Sequence, residues 1–108
     1  MSIREPYAEM ILFGEKTIET RSWQTHYRGD LLVCVSKTPV YPLSGMAICV
    51  VNLVDCRPMT KDDETFACCN YEPGLYAWVI QDVRKIRMFP VTGQLSLFDV
   101  DDNLIRGQ

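Results

Sequence analysis

The sequence predicts a small α+β domain in which strands curl into a barrel and two short helices pack on it. Three observations predict it. Runs alternate in side-chain character with period two, as at Thr17–Trp23 and in Leu75–Phe89, which Gly74 and Pro90 bound. Met46–Cys56 is apolar on both parities, broken only by Asn52 and Asp55, which marks a strand covered on both faces, as in a barrel wall with a helix outside. Only Pro6–Leu12 and Thr60–Cys69 carry helix signals. With many strands and two short helices, closure of the sheet is the simplest way to remove its edges.

Ser2–Arg4 reads as a short lead-in strand end. Pro6 suits a first helical turn, where its missing N–H is no loss, and Glu5 and Glu9 suit the positive end of the helix dipole. Tyr7, Met10 and Ile11, with Ala8 and Leu12, follow helical spacing, and Gly14 is placed to stop the helix in the left-handed region. In Thr17–Trp23, strand parity puts Thr17, Glu19, Arg21 and Trp23 on one face and Ile18, Thr20 and Ser22 on the other. Gln24–Gly29 is a polar connection, Leu31–Ser36 a short strand, and Lys37–Gly45, with two prolines, a loop. Thr60 and Asp63 have the spacing of a capping box before the second helix. Leu75–Phe89 is the longest strand signal, ended by Pro90. Val91–Phe98 has strand character around Gly93, and the acidic tail from Asp99 is expected to fray.

The chain has 108 residues, the size of one domain, and 47% of them are hydrophobic. One domain over residues 1–108 is therefore expected. No apolar run approaches the ~20 residues that cross a bilayer, and no basic stretch precedes an apolar one as in a signal peptide. The expected compartment is the cytoplasm, with no membrane partner. Net charge is −3, which argues against coating DNA through a uniformly basic surface. A local basic face remains open, since Arg84, Lys85 and Arg87 cluster. They read equally as a phosphate track or as charges guarding a strand edge. The five cysteines, Cys34, Cys49, Cys56, Cys68 and Cys69, include no C-x-x-C pair, and His26 is the sole histidine. That pattern predicts neither a metal site nor a disulfide framework, only reduced thiols, and no cofactor is expected. Oligomeric state is not written in the sequence.

The charges near the amino terminus are the candidate site. Lys16 follows the glycine turn: it is either a solvated turn lysine or, if burial or a nearby cation lowers its basicity, a base or nucleophile. Glu19 and Arg21 share a strand face with Cβ atoms roughly 6.5–7 Å apart. Arg21 offers a planar fork for phosphate or a base edge, and Glu19 could accept from an exocyclic amine. The plain alternative is an internal ion pair. Trp23, Tyr27 and Tyr7 are candidates to stack on a base, with packing in the core or at the rim as the plainer reading. Ser36 and Lys37 end a strand and suit phosphate or an ordinary polar turn. Trp78 reads as core and His26 as a loop residue. Gly14-Glu15-Lys16-Thr17 lacks the Gly-x-x-x-x-Gly cradle with Lys directly after Gly, so it is not a P-loop.

Pro6-Tyr-Ala-x-x-Ile-x-x-Gly-x-Lys-Thr-x-Glu-x-Arg-x-Trp23 resembles the opening motif of the activation signal cointegrator homology (ASCH) domain. Tyr27-Arg28-Gly29-Asp30, Ser36-Lys37, Gly74-Leu-Tyr-Ala-Trp78 and Pro90-Val-x-Gly93 with Leu97-Phe98 are similar to the same family, so the resemblance spans nearly the whole chain. It implies a barrel like that of pseudouridine synthase and archaeosine transglycosylase (PUA) domains. It also implies binding of RNA or a nucleoside-type ligand in a basic-lipped cleft, through Lys16, Thr17, Glu19, Arg21, Trp23, Tyr27, Ser36 and Lys37. A related bacterial branch hydrolyses acetylcytidine with a Lys at the position of Lys16 and a Thr at that of Glu19; other members are linked to ribonuclease activity. The resemblance therefore implies, as an alternative, a small hydrolase using Lys16 and Glu19. The glutamate at position 19 departs from that branch.

Overall fold

The computed structural model describes residues 1–91. The expected strand beyond Val91 and the acidic tail lie outside the described residues. The elements are β1 (Ser2–Ile3), α1 (Tyr7–Leu12), β2 (Ile18–Arg21), β3 (Gly29–Val35), β4 (Met46–Pro58), a 3-10 turn (Lys61–Asp63), α2 (Glu64–Ala67) and β5 (Tyr76–Pro90). The strands form one mixed sheet in the order β1-β3-β4-β5-β2, with β1 parallel to β3 and the other pairs antiparallel.

The expected barrel is not closed by backbone pairing among the described residues: β1 and β2 are the two ends of the sheet. Two residues of β1 and four of β2 offer too short a ladder to join. The sheet nevertheless curls. Register shifts at Val33/Cys34 and at three places along β4 and β5 insert the irregularities that bend strands and increase their twist. The curl brings the two ends within reach of one side chain: an Arg21 Nη donates to the Ser2 carbonyl at 2.8 Å.

Side-chain parity decides what each face covers. Leu31, Val33, Val35, Val51, Leu53, Trp78 and Ile80 turn inward and pack against Ala8, Ile11 and Leu12 of α1. Directly opposite residues of an antiparallel pair share a face. Glu19 opposite Trp78 and Arg21 opposite Tyr76 therefore stand on the inner side of the sheet. Ile18, opposite Val79, turns outward and joins Met59, Ala67 and Ala77 in a second cluster under α2. The second face of β4 was expected to lie under a helix. Instead Ala47 and Val50, with Leu32 and Cys34, are packed by Ile86, Phe89 and Val91, from the far end of β5 and the residue after it. β5 is long and bent enough to cover its own neighbours, so no helix is needed there.

The helix signals hold locally. Pro6 is the N-cap position of α1, and Gly14 sits at φ +83 just past its end. The Thr60 and Asp63 capping box is formed. Glu5 departs from expectation: it is buried, with one oxygen accepting from the Glu9 N–H at 2.9 Å and the other without a hydrogen-bond partner among the described residues. Burial, with Glu9 beside it, raises its carboxyl above the ordinary range. No described helix is long and apolar enough to cross a membrane.

Candidate functional site

The site begins with a turn. After α1, the N–H groups of Glu15 and Lys16 both donate to the Met10 carbonyl, at 2.9 and 3.1 Å, and Gly14 supplies the left-handed step that this reversal requires. The Thr17 N–H then donates to the Phe66 carbonyl of α2 at 2.9 Å, and the Thr17 carbonyl accepts from the Ile80 N–H at 3.0 Å. The Gly-x-Lys-Thr segment is thus stitched to both helices and to β5. Thr17 positions the turn through its backbone.

This stitching buries Lys16. Its side chain is 2% exposed, far from the solvated turn lysine that the sequence also allowed. Its ammonium donates to the Ala67 carbonyl at the C-terminal end of α2, where a cation complements the exposed helix carbonyls. It lies 3.6 Å from Glu19 Oε1 and 5.2 Å from the centre of the Tyr7 ring. The other Glu19 oxygen lies 3.2 Å from Arg21 Nη2. Glu19 Oε1 also accepts from the Thr20 N–H at 3.2 Å. One carboxylate therefore separates two cations: Glu19 and Arg21 share the inner face, as parity predicted, and Lys16 reaches Glu19 from the turn before β2.

The chain of charge emerges at Arg21 and Trp23. The Arg21 side chain is 20% exposed, with its guanidinium 5.4 Å from the centre of the Trp23 ring. Arg21 Nε is buried without a hydrogen-bond partner among the described residues. Trp23 is 52% exposed and stands edge-on to buried Trp78, ring centres 6.0 Å apart at 84°. Trp78 Nε1 donates to the Trp23 carbonyl at 3.1 Å, which fixes the backbone that presents the outer ring. Tyr7 is also exposed on this side, over Lys16. Chemically, the group offers a partly exposed guanidinium, two exposed aromatic side chains and a carboxylate held between cations.

The remaining candidates fall elsewhere. Tyr27 Oη donates to the Asp30 carbonyl at 2.6 Å, and the ring is packed so closely on Gly29 that an added Cβ would come 3.1 Å from Tyr27 Oη. Gly29 also holds φ +130, which a side chain would strain. The Tyr-Arg-Gly-Asp motif is thus a folded corner, with Asp30 bound through both oxygens by Arg84 at 2.6 and 3.1 Å. Hydrogen bonding from Arg84 holds the Asp30 carboxyl below its usual range. The Ser36 hydroxyl donates to the Thr38 carbonyl, and its N–H donates to Ile3, so the end of β3 lies on the far side of β1 from Arg21. Lys37 is exposed beyond it. Of the Arg84, Lys85 and Arg87 group, Arg84 is committed to Asp30 and Asp82, and Lys85 lies 5.9 Å from the Phe13 ring centre. The partners that the sequence could not announce are two backbone carbonyls, those of Ala67 and Ser2, and only topology brings them to Lys16 and Arg21.

Fold and site define a small mixed-sheet α+β domain whose helix-to-strand turn buries a lysine against a carboxylate and shows an arginine and a tryptophan to solvent. A sequence model of the ASCH domain matches residues 1–90, and the chain belongs to that family. It is also 23% identical, over 134 aligned positions, to Activating signal cointegrator 1 of Homo sapiens and to that of Mus musculus. Each alignment covers 99% of this chain and 23% of the relative, so the chain spans less than a quarter of those proteins.

Proposed function

We propose that this domain, acting as one unit, binds RNA or a nucleoside-type ligand at the surface formed by Arg21, Trp23 and Tyr7. Lys16 and Glu19 set that surface from beneath. ASCH domains belong to a PUA-like RNA-binding fold family, and membership supports the class of ligand. The observation that carries the reading is the Arg21–Trp23 pair at the open seam of the sheet. A half-buried guanidinium beside an exposed indole can bind a phosphate and stack a base at once, and stacking alone is worth ~1–3 kcal/mol per base. The PUA-like barrel belongs to the same reading: Arg21, bridging Ser2 and Glu19, links the sheet ends where the described residues form no ladder. Tyr27, Ser36 and Lys37 then lie outside the contact surface and support the fold or extend the backbone path.

The hydrolase alternative with Lys16 and Glu19 draws less support. A nucleophilic amine must reach substrate, and Lys16 is enclosed, with its ammonium on the Ala67 carbonyl.

The test is fluorescence anisotropy of labelled single-stranded and hairpin RNA, titrated at several salt concentrations. Binding that weakens as salt rises, and that Trp23→Ala reduces by roughly 5- to 150-fold, supports the reading. Binding without salt dependence, or unchanged by Trp23→Ala and Arg21→Ala together, contradicts it. Turnover of acetylcytidine or RNA that is abolished by Lys16→Ala in a folded variant would move the assignment to the hydrolase.

A further inference from the structure

The five thiols divide into two groups. Cys34, Cys49 and Cys56 are buried in the sheet. Burial raises the Cys34 thiol and pushes Cys49 up to about 12, so these are inert core groups. Cys68 and Cys69 are only half-buried and adjacent in sequence, on the turn that leaves α2. Cys68 holds φ +57, the left-handed region that non-glycine residues seldom enter. Its Sγ lies 3.7 Å from the carbonyls of Glu15 and Thr65. The Cys69 Sγ lies 3.8 Å from the Thr20 hydroxyl on β2. The carbonyl just before them, that of Ala67, receives the Lys16 ammonium.

We propose that Cys68 and Cys69 form an oxidation site for peroxides, and that its oxidation displaces the turn that anchors Lys16. One thiolate attacks the peroxide O–O bond and becomes a sulfenic acid, and the peroxide oxygen left behind departs as water or alcohol. The neighbouring thiol then attacks that sulfur, forming the S–S bond and releasing water. The two thiols together lose two electrons and two protons to the peroxide. Adjacent Cα atoms sit ~3.8 Å apart, closer than a relaxed disulfide spans, so the product is strained and readily reduced, as suits a reversible modification. The two sulfurs now contact different segments, so joining them breaks the contacts to Glu15 and Thr20. The resulting shift is passed to Ala67 and Phe66, whose carbonyls hold Lys16 and Thr17. This inference does not depend on which ligand the Arg21–Trp23 surface binds.

The experiment treats the folded chain with hydrogen peroxide, traps remaining thiols with iodoacetamide and maps them by peptide mass spectrometry. Before oxidation, Cys68 and Cys69 should alkylate about tenfold or more faster than Cys34, Cys49 and Cys56, which react only through local opening. After oxidation, the peptide carrying both residues should lose two hydrogens and regain them with dithiothreitol. Cys69→Ser should instead leave a sulfenic acid on Cys68 that dimedone captures, or Cys68→Ser one on Cys69. Amide NMR signals of Lys16, Thr17 and Ala67 should shift on oxidation while those of Val33 and Val51 stay. Equal alkylation of all five cysteines, or oxidation that spares this pair, overturns the site. A disulfide that leaves the Lys16 and Thr17 signals in place overturns the coupling to the turn.

Discussion

Two buried carboxylates, Asp63 and Glu19, each hold basic partners, yet they are built differently. Asp63 is saturated. Arg57 grips both its oxygens at 2.8 Å each, and the Thr60 N–H and hydroxyl add bonds at 2.9 and 3.3 Å. These contacts, Arg57 foremost, lower its pKa to about 2. Glu19 meets its two cations at 3.6 and 3.2 Å, and Arg21 keeps a buried Nε without a hydrogen-bond partner among the described residues. A saturated carboxylate is a clasp for the turn into α2. At Glu19 it is the neighbouring arginine, half-turned to solvent, that lacks a bond, and the proposed reading has a ligand atom supply it. Counting ion pairs does not distinguish these regions, whereas counting the bonds each group still lacks does.

The comparison can be broken first at Lys16. Lys16→Met removes the ammonium and leaves the Ala67 carbonyl without its donor and Glu19 with one cation. The expected loss is about 3–5 kcal/mol in urea unfolding, the usual scale for breaking a buried charged set. A cost below that of Asp63→Ala would mean that the Lys16 set is the looser structural element. Asp63→Ala should cost about 1–3 kcal/mol, because it removes the cap of the turn and the partner of Arg57.

Acid sharpens the same contrast. The Asp63 pKa is depressed from its ordinary value, so its contribution is fully present above about pH 4 and lost as pH falls towards about 2. Because Arg57 is 40% exposed and screened, that contribution should not exceed about 2 kcal/mol. Urea midpoints between pH 5 and 2 should fall less for Asp63→Ala than for the parent chain. Smallest is Arg84→Ala, which breaks a largely exposed pair with Asp30 and should cost about 0.2–1 kcal/mol while leaving RNA binding unchanged. Reduced binding in that variant would revive a phosphate track along β5.

The sequence disclosed the half of this contrast that depends on spacing. Period-two parity put Glu19 and Arg21 on one face, and the four-residue box of Thr60 and Asp63 announced the turn. Gly14 marked the end of α1. Contacts set by topology were not legible. Lys16 finds its acceptor at Ala67, far along the chain, and Arg21 reaches Ser2 only because the sheet curls. Tyr27 was open to stacking or to packing from the sequence, and its close approach to Gly29, two residues on, is a contact that spacing alone did not announce. Closure of the barrel was inferred from the need to hide edges. Among the described residues, the ends β1 and β2 are linked by the Arg21 side chain rather than by a ladder.

The most direct test follows the arginine and tryptophan side-chain N–H signals by NMR while single-stranded RNA is added to the isotope-labelled chain. Arg21 Nε and Trp23 Nε1 should shift together and saturate, with the Arg57 and Arg84 signals unmoved. Movement centred on Arg57 or Arg84, with Arg21 and Trp23 silent, would contradict the assignment of the open seam as the ligand-facing surface.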